Sequence, residues 1–131
     1  MQKKNIKQWI LITGALFAMS AVMIGAFAAH GLKQLLDSYA LSVIQTGAKY
    51  QMYHALALLV LGVMSTIPQF STLWLNRAGA AFTLGIILFS GSLYLLAITD
   101  VKWLGAVTPL GGLTFILGWV MLIISVRKGD V

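Results

Sequence analysis

Few side chains in this 131-residue chain could do chemistry. There is no cysteine and no glutamate, so the titratable groups besides lysine and arginine are His30, His54, Asp37, Asp100, Asp130 and the tyrosines. Without cysteine there is no disulfide, no thiolate metal site and no cysteine nucleophile, while the redox compartment stays open. Without glutamate the commonest general acid/base carboxylate is missing. A metal site would need His30, His54, Asp37 and Asp100 to converge, because zinc takes three or four ligands. Neither histidine has a partner ligand four residues away on the same helical face. No G-x-S-x-G, H-E-x-x-H or glycine-rich phosphate loop is present. No catalytic residue, cofactor or metal is therefore expected, and the chain reads as a non-enzymatic protein.

The elements that must position these residues follow from composition. Apolar residues make up 60% of the chain and charged ones 9%, with a mean hydropathy of +0.92. A soluble domain of this size needs more polar surface than that, and a disordered chain needs more charge. Lipid must replace water around most of the surface. The net charge of +6 then reports membrane topology and does not call for a nucleic-acid partner.

Charge-poor apolar stretches mark four expected spans, at about 9–29, 50–67, 78–99 and 103–126. Each reaches or approaches the ~20 residues needed to cross ~30 Å of hydrocarbon as a helix. None alternates with the period of a barrel strand. The expected fold is an all-α membrane protein, a four-helix bundle forming one integral membrane domain over 1–131. The first span has a competing reading: three lysines precede it, and Ala26-Phe27-Ala28 resembles a signal-peptidase site. Its apolar run is longer than a signal peptide's, so a retained span is expected. With four spans, Lys3, Lys4, Lys7, Arg77, Arg127 and Lys128 share one side, against Lys33, Lys49 and Lys102 on the other. The more basic side is expected to be cytoplasmic, with both termini inside a bacterial plasma membrane.

Between the first two spans, Leu32, Leu35, Leu36, Tyr39, Val43 and Ile44 follow one helical face. That pattern predicts an amphipathic interfacial helix over about 32–46, with Gly47 bending the chain into the second span. Pro68 is expected to end the second span and Pro109 to open the fourth. Small residues mark where helices meet. Gly14, Ala18, Ala21, Gly25 and Ala28 recur at spacings of 4, 3, 4 and 3, and Gly111 and Gly118 offer a comparable face in the fourth span. Lipid gives helices no hydrophobic drive to associate, so close backbone approach must supply much of it. The seams are expected to pack inside the bundle, the alternative being a homo-oligomer. Membrane lipids, a second copy or other membrane proteins are the expected partners.

This topology gathers His30, Tyr50, Gln51, His54, Ser90, Tyr94 and Thr108 toward the outer side. Tyr50 and His54 are four apart and share a helical face, with Gln51 beside them. A histidine inside a span marks a functional site by default. The competing reading is a neutral histidine satisfied by its own bundle, with the tyrosines forming an interfacial belt. That second reading is favoured because His54 lies so near the interface. The first would make the cluster part of a small oligomeric transporter or channel.

Blocks of this chain resemble a known family. Gly25-Ala26-Phe27-Ala28-Ala29-His30-Gly31-Leu32 and Tyr50-Gln51-Met52-Tyr53-His54-Ala55-Leu56-Ala57 are similar to two blocks of the YgdD/YwdK-like group, a DUF/UPF-type family of small bacterial inner-membrane proteins without assigned function. Phe89-Ser90-Gly91-Ser92-Leu93-Tyr94, Thr108-Pro109-Leu110-Gly111-Gly112 and Gly118-Trp119 resemble its later blocks in the right order. Ala28 departs from the pattern, which has glycine there. The resemblance implies a multi-pass plasma-membrane protein and brings no substrate or catalytic residue. An accessory or structural role in the membrane is the expectation.

Overall fold

A computed structural model describes residues 6–129. They form four long helices: α1 (Gln8–His30), α2 (Ser38–Met64), α3 (Thr72–Thr99) and α4 (Leu104–Lys128), with a short 3₁₀ turn at Leu32–Gln34. Lys3, Lys4 and Asp130 lie outside the described residues. Three helices, α1, α3 and α4, are long and apolar enough to cross a membrane. In α2 the lower hydropathy traces to Lys49, Tyr50, Gln51, Tyr53 and His54, two of which, Gln51 and His54, are buried.

The helices pack in chain order, each against the next, so α2 and α3 form the centre. Ile10, Leu58, Leu61, Leu75, Ala78, Phe82 and Phe115 join one buried cluster from all four helices. Outside it, large apolar side chains such as Leu16, Met23, Ile116 and Ile123 are exposed, as a lipid solvent permits.

Small residues set the close approaches. Gly14, Ala21 and Ala28 are buried on α1, and Ala18 is half-buried between them. A Cβ on Gly14 would stand 3.0 Å from the Ala55 carbonyl oxygen of α2. Between α3 and α4, a Cβ on Gly111 would strike the Phe89 backbone, and one on Gly118 would come within 2.6 Å of the Phe82 ring. Gly25 differs from expectation: a Cβ there meets nothing within 4 Å, so this member of the seam makes no close contact.

The first connection also differs. No separate helix spans 32–46, because residues 38–46 are the first turns of α2 itself. Asp37 caps that helix by accepting from the Ala40 N–H at 2.7 Å. Ala40, Ile44, Gly47 and Ala48 are then buried, while Leu35 and Tyr39 of the expected stripe are 76% and 62% exposed. Gly47 is a contact point, not a bend: the Ser90 hydroxyl donates to its carbonyl at 2.7 Å, and the Tyr94 ring occupies the space of its missing Cβ. A side chain at 47 would push α3 away, so glycine there lets α2 run straight along its neighbour. α2 ends at Met64, four residues before Pro68, and Pro109 sits inside α4, past its first turn.

Serines close one end of the bundle. Ser125 Oγ donates to the Ser71 carbonyl, and the Ser71 N–H donates to the Ser125 carbonyl, both at 3.0 Å. The Lys7 N–H donates to Ser65 Oγ at 3.0 Å. At the opposite end Asp100 turns the chain from α3 to α4 in the left-handed region, at φ 54°. Its exposed carboxylate accepts from Lys102 at 2.7 Å, and this hydrogen bond, then the charge itself, holds the ammonium pKa above its ordinary value.

Candidate functional site

The polar residues form interhelical links, not one open pocket. Gln51 on α2 is the hub of the first. Its Nε2 donates to the Phe17 carbonyl at 2.9 Å and to Ser20 Oγ at 2.7 Å, both on α1. Its Oε1 accepts from the Tyr94 hydroxyl on α3 at 2.6 Å. One buried amide thus ties three helices. The second link is Ser90 to Gly47 between α3 and α2. The third joins Ser92 and Thr108 hydroxyls at 2.6 Å between α3 and α4.

His54 holds the fourth link. Its Nδ1 lies 2.7 Å from the Tyr50 carbonyl, which only accepts, so Nδ1 carries the proton. Trp119 Nε1, which only donates, lies 3.1 Å from Nε2, so that nitrogen is the acceptor. The ring stacks on Phe115 at 3.5 Å with planes 6° apart and meets the edge of Phe82 at 5.3 Å. Both nitrogens and one face of the imidazole are therefore occupied from within the chain. An open groove of about 440 Å³ between α2 and α4 runs past it, lined by Tyr50, Phe89, Phe115, Ile116 and Trp119.

Five of the seven expected residues hold these links by their side chains: Gln51, His54, Ser90, Tyr94 and Thr108. Tyr50 contributes its carbonyl to His54 and its ring to Tyr53 and Phe89. His30 is exposed at the end of α1 and joins none of the links. Among the described residues, no three His, Cys, Asp or Glu side chains gather. Ser20, Phe82, Phe115 and Trp119 were not foreseen in the cluster. The sequence signal for Trp119 was its place beside Gly118, where helices touch; the others carry none.

A family described as "Protein of unknown function (DUF423)" matches residues 24–112, from inside α1 to Gly112 on α4. The chain belongs to the DUF423 family. The match takes in Gln51, His54, Ser90, Tyr94 and Thr108 and leaves out Ser20 and Trp119. A UPF0382 membrane protein of Staphylococcus aureus is 51% identical over 118 residues, covering 90% of this chain and 94% of the relative. A UPF0382 membrane protein of Staphylococcus haemolyticus is 49% identical over the same share. No solved structure matches the chain. This DUF423 chain is thus a bacterial membrane protein of the kind its sequence blocks resemble.

Proposed function

We propose that this chain is a four-span, non-enzymatic protein of the plasma membrane that serves as an accessory or packing partner of other membrane components. One observation carries the reading: the buried polar cluster is consumed by bonds within the chain. Gln51 makes three hydrogen bonds, and both nitrogens of His54 have partners. A transport path or an active site needs polar groups left free for a substrate, and a buried network with every member satisfied rigidifies a fold instead.

In this reading α2 crosses the bilayer beside α1 and α3, with Gln51 and His54 turned into the bundle where lipid does not meet them and the exposed Lys49 left to snorkel toward the interface. Both termini then share a side. The charge partition favours the cytoplasm for that side, with six Lys/Arg there against Lys33 and Lys102 at the other end of the bundle. The segment before Asp37 rests at the outer interface with Leu35 uncovered. The exposed apolar faces of α1 and α4 are the surfaces offered to lipids, a second copy or other membrane proteins.

Proteoliposomes loaded with ion-sensitive dyes test the reading against an oligomeric transporter. Wild type and His54→Ala are expected to leak alike, at the level of empty vesicles. Flux in wild type that His54→Ala abolishes would sink the accessory reading.

A further inference from the structure

The face of α3 and α4 turned away from α2 carries a second groove, of about 500 Å³. Ala80, Ala81 and Leu84 line it from α3, and Thr114, Leu117 and Met121 from α4. The two alanines make the floor shallow, and Arg77 stands at one end. Thr114 spends its hydroxyl on the Leu110 carbonyl, so the trough is apolar along its length. From Arg77 to Leu84 it runs about 10 Å.

At the Arg77 end two cations from different helices meet one indole. The Arg77 guanidinium carbon lies 4.7 Å from the Trp74 ring centroid, and Lys128 Nζ lies 5.7 Å from it. Lys7 and Arg127 sit at the same end of the bundle. Among the described residues no carboxylate answers them: Asp37 and Asp100 are at the opposite end, and the one ion pair is Lys102 with Asp100. The indole face attracts each cation, their like charges repel, and an anion bound beside them would relieve that repulsion. An apolar trough about two turns long, with Arg77 at its end and Lys128 on the same tryptophan, matches one ligand chemistry: an acyl chain ending in a phosphate at the interface.

We infer that the α3/α4 groove is a binding site for an anionic glycerophospholipid, its phosphate on Arg77 and Lys128 beside Trp74 and an acyl chain along Ala80, Ala81 and Leu84. A lipid with net negative charge is favoured over a zwitterionic one, because the cations here exceed a single phosphate. The inference rests on membrane residence alone, so a reversed orientation or a positive flux result leaves it standing.

The full chain in detergent micelles is titrated with phosphatidylglycerol or phosphatidylcholine, and bound lipid is counted by native mass spectrometry. One phosphatidylglycerol is expected to be retained at least fivefold more tightly than phosphatidylcholine. Arg77→Gln with Lys128→Gln should abolish that preference. Ala80→Leu, which fills the trough and keeps both charges, should weaken phosphatidylglycerol at least threefold, and Lys33→Gln at the far end should change nothing. These positions are on the surface, and an unchanged unfolding temperature checks that each variant folds. Equal retention of the two lipids, or wild-type binding by either the double variant or Ala80→Leu, would overturn the site.

Discussion

Gln51 shows how much a single side chain can hold in a membrane protein. Removing it takes the acceptor from the Tyr94 hydroxyl, so the cost falls on the partner as well. Gln51→Leu is expected to destabilise the protein by about 1–3 kcal/mol, and Tyr94→Phe, which removes one bond only, by about 0.6–1.7 kcal/mol. Reversible unfolding in mixed micelles measures both, and a Gln51→Leu chain as stable as wild type would contradict the hub. For His54 the ring counts more than its nitrogens. His54→Phe keeps the stack on Phe115 and should cost less than about 1.5 kcal/mol, whereas His54→Ala empties the ring's volume and should cost about 2–4 kcal/mol. In a chain whose sole tryptophan is Trp119, His54→Phe should also shift the emission to shorter wavelength, because the indole N–H loses its acceptor. That shift would be absent if Trp119 did not donate to His54.

Among the elements, the α3/α4 hairpin depends on glycine at one place more than any other. A Cβ on Gly111 meets Phe89 backbone atoms, which are part of a helix and have nowhere to go. Gly111→Ala is expected to cost about 1–3 kcal/mol as an overpacked contact. Gly25→Ala, with open space around its new methyl, should stabilise α1 by about 0.5–1 kcal/mol through backbone entropy alone. The two glycines look alike as members of small-residue seams, so opposite signs in the same unfolding assay would separate contact from repetition. Matching signs would count against the α3/α4 geometry. The hydropathy of α2 carries a related lesson. Its polar residues lower its apparent fitness for a membrane, yet Gln51 and His54 are buried in the bundle, while Lys49 and Tyr53 are exposed near the middle of the helix. A window average along the chain cannot tell a polar group facing lipid from one facing another helix.

For the whole molecule, the proposed topology makes a direct prediction. The chain has no cysteine, so single cysteines can be introduced without a background. Gln69→Cys, between α2 and α3, is expected to resist a membrane-impermeant maleimide on intact cells. Gln34→Cys, between α1 and α2, should react. The reverse pattern would invert the orientation, and labelling of both would remove α2 from the bilayer.

The sequence by itself determined that this is a helical membrane protein, with α1, most of α3 and α4 in place and the helices meeting at Gly14, Gly111 and Gly118. Those features follow from quantities that add up along the chain: transfer of apolar residues to lipid, and the absence of a side chain where backbones touch. It also singled out Gln51, His54, Ser90, Tyr94 and Thr108 as the polar set, although His54 lies deeper than the rest, against Phe82, Phe115 and Trp119. Only the tertiary structure decided which of them meet, that Ser20, Phe115 and Trp119 join them, and that His30 and Gly25 do not. Contact depends on how each helix is rotated about its axis, and in lipid the buried and exposed faces are equally apolar, so the sequence pattern leaves that rotation almost unmarked. The continuity of α2 through Gly47 was hidden for the same reason. A stripe that reads as resting on the interface serves as well for packing on α3, and the bonds from Ser90 and the ring of Tyr94 made the choice.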